Sequence, residues 1–95
     1  MADLLSETAL SEGLRALPEW SEMNGAIQRT FQFKDFAAAM AFTNSVAAAA
    51  EKADHHPDIL IRYNKVTLTL STHDAGGVTQ KDFDLAAEAE AAAVA

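Results

Sequence analysis

Apolar and polar positions change their period several times along the chain, and each period predicts a different element. Leucines recur at helical spacing in the segment from Leu10 to Leu17, which follows two candidate N-cap residues, Ser6 and Thr8. Pro18 stops this run, because proline breaks a helix beyond its first turn. The pattern predicts a first helix that ends before residue 18.

The next segment predicts a β-hairpin. Residues 20–23 and 26–33 flank Asn24 and Gly25, the dipeptide best suited to the positive backbone angles of a type I′ turn. Apolar and polar side chains alternate from Ile27 onward, so one face of this second strand is expected to be buried and the other wet.

A long helix is predicted from Phe36 to about Ala53, with Asp35 as its N-cap, because alanine-rich sequence favours helix strongly. Pro57 disfavours helical backbone at His56, so this helix must end before the two adjacent histidines. The apolar stripe of the helix is expected to comprise Phe36, Met40, Val46 and Ala50.

A second hairpin follows in the sequence. Residues 59–63 and 66–71 have the composition of strands and flank a predicted turn at Asn64 and Lys65. The second of these strands alternates apolar and polar residues, and an extension of that alternation puts His73 on the polar side.

A last helix is predicted to begin at Thr79, with Asp82 three residues later in the relaxed pattern of a capping box. Gly76 and Gly77 break the strand that precedes it. The order is therefore a helix and then two hairpin-plus-helix units within a single domain, residues 1–95. This order predicts an α+β fold, a two-layer sandwich in which a four-stranded antiparallel sheet carries three helices on one face. The aromatic residues expected in its core are Phe31, Phe33 and Tyr63.

Composition excludes several classes of function. The 95 residues carry 7 basic and 14 acidic side chains, and a net charge of −7 repels a phosphate backbone, so we expect no direct nucleic-acid ligand. No apolar run is long enough to span a membrane, and residues 1–5 lack the features of a signal peptide. The absence of cysteine is compatible with a reducing compartment, and we expect a cytoplasmic location.

All three histidines flank the second hairpin: His55 and His56 precede it and His73 follows it, with Asp82 shortly after. Imidazole has an unperturbed pKa of about 6.5, so it both gives and takes protons near neutral pH. Convergence of these three side chains would make a site for proton transfer.

Other interpretations of these residues stay open. Asp82 at the third position of a helix is also explained by capping alone, and Glu51 by a solvated charge. The histidines could instead hold zinc or iron, although His55 and His56 are adjacent and would converge poorly on one ion. The carboxylates of such a metal site would come from Asp54, Asp58 or Asp74.

Several segments of the chain carry a resemblance to one known family. They are Glu51-Lys52-Ala53-Asp54-His55-His56-Pro57, Tyr63-Asn64-Lys65-Val66, Leu70-Ser71-Thr72-His73, Gly77-Val78-Thr79-x-x-Asp82 and Phe31-Gln32-Phe33-Lys34-Asp35-Phe36. On these segments, from about residue 20 to residue 85, the chain resembles the pterin-4a-carbinolamine dehydratase family. It departs from the better-known animal members at Ile59, where they have an aromatic residue, and by an extra glycine after Ala75.

The resemblance implies an enzyme that dehydrates 4a-hydroxytetrahydropterin to quinonoid dihydropterin and thereby recycles the pterin cofactor of aromatic amino acid hydroxylases. It implies no metal and no organic cofactor, and assembly as a homodimer or homotetramer. The positions that match the active-site histidines of the family are His55, His56 and His73, which also contact the substrate. The positions that match its other substrate-contacting or acidic residues are Glu51, Pro57, Thr72, Asp74, Ala75 and Asp82.

Two hypotheses for function follow. In the first, a proton must reach the leaving hydroxyl at C4a while a base removes one from N5, and His56 and His73 do most of this transfer. His55 then mainly orients the substrate, and Asp82 fixes a histidine tautomer. In the second, the chain is a non-catalytic interaction, assembly or coactivator module, with the alanine-rich helix as the contact surface for a protein partner. The resemblance implies this alternative because animal relatives double as binding partners of a transcription factor and some bacterial relatives act as assembly factors rather than enzymes.

Overall fold

Three α-helices and a four-stranded antiparallel sheet make up residues 3–94, the part of the chain that the computed structural model describes. The predicted α+β fold is thereby confirmed. The sheet has the order β1-β2-β4-β3. Residues 1, 2 and 95 lie outside the described residues. They are the ends of the predicted domain, and residues 1 and 2 also belong to the segment inspected for a signal peptide. The elements are α1 (Glu7–Ala16), β1 (Ser21–Met23), β2 (Ala26–Gln32), α2 (Phe36–Ala53), β3 (Asp58–Arg62), β4 (Lys65–Leu70) and α3 (Gln80–Ala93).

The first hairpin forms as the sequence predicts. Asn24 and Gly25 have backbone φ angles of 51° and 80°, the pair of positive values that a type I′ turn requires. Ser6, one of the two candidate caps, accepts a hydrogen bond from the Ala9 backbone N–H at 3.1 Å and begins α1. Local sequence therefore determines both the turn of the first hairpin and the start of α1.

Helix α2 has the predicted bounds, and Asp35 caps it by accepting from the Ala38 N–H at 2.8 Å. The predicted apolar stripe is wrong at Phe36, the first residue of the helix, whose side chain is 49% exposed. The residues of α2 that are buried against the sheet and α3 are Ala39, Phe42, Thr43, Val46 and Ala50.

The second hairpin turns one residue earlier than predicted, at Tyr63 and Asn64, so that Arg62 pairs with Lys65. Tyr63 takes the left-handed conformation with φ 54° and is 68% exposed, so its predicted place in the core is wrong. Strand β4 ends at Leu70, but the alternation continues beyond it: Ser71 is exposed, Thr72 is buried and His73 is exposed, so His73 lies on the polar side as predicted. A single 3₁₀ turn, His73–Ala75, begins there.

The core lies between one face of the sheet and the helices. Cross-strand pairing places the buried Ile27, Phe31, Val66, Leu68 and Leu70 on that face, as the alternation predicts. Helix α3 covers them with its buried side, which includes Phe83, Leu85, Ala86 and Ala89. This packing brings the start of α3 close to the end of α2, where the histidine pair lies.

Gly13 sets how closely α1 approaches α3. A Cβ atom at this position would lie 2.6–2.8 Å from three ring atoms of Phe83, which is buried. We therefore expect Gly13→Ala to lower the free energy of unfolding by about 1–3 kcal/mol, the typical range for overpacking, although alanine favours helix. Urea denaturation measures this change. Ser11→Ala, at an exposed position of the same helix, is the control, and equal stability of the two variants would contradict the prediction.

Candidate active site

The end of α2 fixes the backbone of the first histidine. Asp54 adopts a left-handed conformation with φ 52°, which aspartate tolerates better than most residues. The Asp54 N–H donates to the Glu51 carbonyl at 3.2 Å and the His55 N–H donates to the Ala50 carbonyl at 3.0 Å. These two hydrogen bonds form a Schellman motif, which directs the chain out of the helix at His55.

Asp82 lies at the centre of a buried hydrogen-bond network. Its side chain is fully buried, and His55, whose side chain is only 10% exposed, places Nε2 2.6 Å from Asp82 Oδ1. The other carboxylate oxygen, Oδ2, accepts from the Thr72 hydroxyl at 2.9 Å and from the Thr79 backbone N–H at 2.9 Å. The predicted capping box is therefore present, and the same carboxylate also holds a histidine.

His56 takes part in a separate, exposed pair. Its Nε2 lies 2.5 Å from Glu51 Oε2, and the two side chains are 57% and 77% exposed. Pro57, half-buried, follows and leads into β3. An exposed pair of this kind adds little to stability.

A closed loop carries the third histidine. Thr72 and Gly77 bridge across the loop, with the Thr72 N–H donating to the Gly77 carbonyl at 2.8 Å. Gly76, with φ 78°, completes the reversal, and the loop presents His73 and Asp74 with exposed side chains. Because Thr72 also bonds to Asp82, the base of this loop is joined directly to the residue that holds His55.

Of the predicted site residues, the structure joins Thr72, Asp82 and His55 in one network and Glu51 with His56 in another. His73, Asp74 and Ala75 lie on the loop that leaves this network and Pro57 lies on the segment after the histidine pair, without a described contact to His55 or His56. Sequence reasoning missed Thr79 as a member: its hydroxyl lies 2.7 Å from that of Thr72. In the sequence, Thr79 stood out only as a predicted cap and as part of the Gly77-Val78-Thr79-x-x-Asp82 segment of the family resemblance.

A groove lies beside His55, between the end of α2 and the start of α3. It has a volume of about 590 Å³, within the range of small-molecule sites. Its apolar part is formed by alanines of α2 and by Leu85, and its charged side chains are Lys52, Lys81, Asp84 and Glu88.

Two further structural findings concern metal binding and membrane-spanning helices. Within residues 3–94, no group of three or more His, Asp or Glu side chains is placed to hold a metal ion. The helices of this part of the chain are each too short or too polar to cross a membrane.

The fold and this site define a small α+β protein in which paired histidines and carboxylates lie at the junction of two helices and a sheet. The chain belongs to the pterin 4 alpha carbinolamine dehydratase family, whose sequence profile matches residues 3–92. A relative from Picosynechococcus sp. is 57% identical over 86 residues, 90% of this chain and 94% of the relative. A relative from Acidobacterium capsulatum is 58% identical over 87 residues, 92% of this chain and 95% of the relative. Their names assign both, provisionally, to pterin-4-alpha-carbinolamine dehydratase.

Solved structures agree on the fold. A protein from Brucella melitensis, described as a transcriptional coactivator/pterin dehydratase, is 43% identical with a TM-score of 0.93, over 96% of this chain and 99% of that one. A pterin dehydratase-like protein described as a RuBisCO assembly factor in the alpha-carboxysome is 25% identical with a TM-score of 0.65, over 78% of this chain and 86% of that one. The fold is thus similar to that of proteins described in both enzymatic and assembly terms.

Proposed function

We propose that this protein dehydrates 4a-hydroxytetrahydropterin to quinonoid dihydropterin and water, and so recycles the pterin cofactor of aromatic amino acid hydroxylases. The observation that carries the proposal is the buried contact between His55 Nε2 and Asp82 Oδ1, within a chain that belongs to this family and keeps all three histidines. An interaction module has no need of a histidine held by a buried carboxylate, whereas an active site uses a histidine of fixed orientation to position its substrate.

In the proposed reaction the C4a–O bond breaks and a C4a=N5 double bond forms. One proton goes to the leaving hydroxyl, which departs as water, and one proton leaves N5. The exposed His56 and His73 are the proposed groups for these two transfers, because their rings are accessible to a substrate and an imidazole ring can both donate and accept a proton. His55, held by Asp82, orients the substrate, and no metal or organic cofactor takes part in these steps.

The test is stopped-flow ultraviolet absorbance on freshly generated 4a-hydroxytetrahydropterin. The dehydration rate with chelator-treated protein is compared with the spontaneous rate. We expect acceleration that is proportional to protein concentration and unaffected by the chelator. A rate equal to the spontaneous one, from folded protein, would reject the proposal and favour an interaction, coactivator or assembly role.

We also propose that the protein assembles through the free edge of β3. This strand is at the end of the sheet, so the outer backbone groups of Asp58–Arg62 have no strand partner among the described residues. Antiparallel pairing of two copies about Leu60 would place Asp58 of one copy opposite Arg62 of the other. Leu60 and Ile59, which are 56% and 38% exposed, would become covered. Opposite charges at both ends of the pairing support a homodimer, which could pair further into a homotetramer.

Leu60→Lys tests this assembly. Two lysines would face each other at the centre of the pairing, and directly opposed like charges destabilise a strand pair. We expect sedimentation velocity to detect an oligomer for the wild type and a smaller species for the variant. Ser21→Lys, at an exposed position on the other edge strand β1, is the control and should keep the wild-type assembly. Unchanged sedimentation of Leu60→Lys, or a monomeric wild type, would contradict the proposed edge.

A further inference from the structure

Thr79 determines the direction of the hydrogen bonds around Asp82. Its side chain is fully buried, and none of the buried side-chain nitrogen or oxygen atoms of residues 3–94 lacks a partner. The Thr79 Oγ1 already accepts from the Lys81 N–H at 3.2 Å, and its other neighbour is the Thr72 Oγ1 at 2.7 Å. The Thr79 hydroxyl proton must therefore point at Thr72.

The direction of the Thr79 hydroxyl determines how the Thr72 hydroxyl is oriented and which protons reach Asp82 Oδ2. Since the Thr72 oxygen accepts from Thr79, the proton of Thr72 is directed to Asp82 Oδ2, 2.9 Å away. The same oxygen receives the Thr79 backbone N–H, which can only donate. Asp82 Oδ2 is thus an acceptor from two donors and carries no proton of its own.

One proton is left between Asp82 Oδ1 and His55 Nε2, which are 2.6 Å apart. An imidazole nitrogen is more basic than a carboxylate in general, so this proton belongs to Nε2. The other ring nitrogen, Nδ1, has no partner within residues 3–94, and because no buried polar atom is unpaired it must reach solvent. In its neutral form His55 is therefore a donor towards Asp82 and an acceptor towards the outside.

We propose that Thr72 is a positioning residue: together with Thr79 it orients the Asp82 carboxylate so that His55 donates through Nε2 and offers Nδ1 to the substrate. This inference rests on the proposed function only in calling the ligand of Nδ1 the substrate. The assignment of donors and acceptors from Thr79 to His55 does not depend on that function. The inference changes the expectation that Thr72 contacts the substrate. Its buried hydroxyl donates its one proton to Asp82 and is therefore not available to donate to a ligand. The substrate hydrogen bond that it predicts is one accepted by His55 Nδ1.

The first measurement is ¹⁵N nuclear magnetic resonance of His55 in the wild-type protein at neutral pH, assigned by its loss in His55→Gln. Protonated and unprotonated ring nitrogens of imidazole resonate far apart, so the tautomer is read directly. We expect the proton on Nε2. A proton on Nδ1, with or without one on Nε2, would overturn the proposal, whether or not the protein has dehydratase activity.

The second measurement compares Thr72→Val with Thr72→Ser. Valine keeps the shape and removes the donor to Asp82, so the carboxylate becomes a stronger acceptor and the Nε2-bound proton of His55 should move downfield. We expect kcat to fall about tenfold with KM within twofold, because orientation and not binding is lost, and serine should restore both values. A rise in KM with unchanged kcat, or an unmoved Nε2–H resonance in Thr72→Val, would overturn the positioning role.

A control for simple loss of stability is available elsewhere in the chain. Asp35→Ala removes the N-cap of α2, which typically destabilises a protein by about 1 kcal/mol, without touching the network. This variant should leave both the His55 resonances and kcat unchanged. An equal change in Asp35→Ala would mean that the effect in Thr72→Val reports stability alone, and would overturn the proposal.

Discussion

Asp82→Asn is expected to move the proton of His55 from Nε2 to Nδ1 and to lower kcat/KM by about 10²-fold or more, the size of a typical acid–base contribution. The amide has one oxygen, which must take the position of Oδ2, because the Thr79 backbone N–H there can only donate. The amide nitrogen then faces His55 Nε2, which must accept. The ring therefore offers a donor to the substrate where the wild type offers an acceptor.

Stopped-flow kinetics and the ¹⁵N resonances of His55 measure the two halves of this prediction. The hydrogen bonds are retained in number, so the variant should stay folded, and circular dichroism checks this. The matched control is Glu12→Gln, which makes the same carboxylate-to-amide change at an exposed position of α1 and should keep the activity and the tautomer. An Asp82→Asn variant with His55 still protonated on Nε2, or with wild-type turnover, would contradict the proposed network.

His56→Ala and His73→Ala are each expected to lower kcat by about 10²-fold or more, because each removes a group proposed to transfer a proton. Both side chains are exposed, and exposed substitutions change stability by about 0.5 kcal/mol or less, so the loss would not come from unfolding. Single-turnover stopped-flow kinetics separates this loss of chemistry from a change in substrate binding.

The control for these variants is Glu19→Ala, an exposed change just before β1 that should keep wild-type kinetics. Full turnover in both histidine variants would show that His56 and His73 are not the proton-transfer pair. Loss in only one of them would assign that histidine to the chemistry and leave water as the partner for the second proton.

Sequence patterns predicted the elements well where a local interaction decides them. The Asn24-Gly25 turn, the Asp35 cap and the Thr79–Asp82 capping box each depend on residues within three positions of one another, and all are present. Predictions failed where a neighbour from elsewhere in the chain decides. Phe36 has a helical position that would suit the stripe, but about half of its side chain stays exposed. In the register of β3 with β4, Arg62 pairs with Lys65, which leaves Tyr63 in the turn.

In the candidate site too, local features could be predicted from the sequence and long-range contacts could not. The sequence by itself determined the set of histidines and carboxylates, the end of α2 before His55 and the family resemblance, because composition and short-range spacing carry that information. Only the tertiary structure decided which histidine Asp82 holds. His55 and Asp82 are 27 positions apart, and Thr72 reaches the same carboxylate from a third segment. No local pattern contains such contacts, since they exist only when the packing of α2, α3 and the sheet buries the three side chains together.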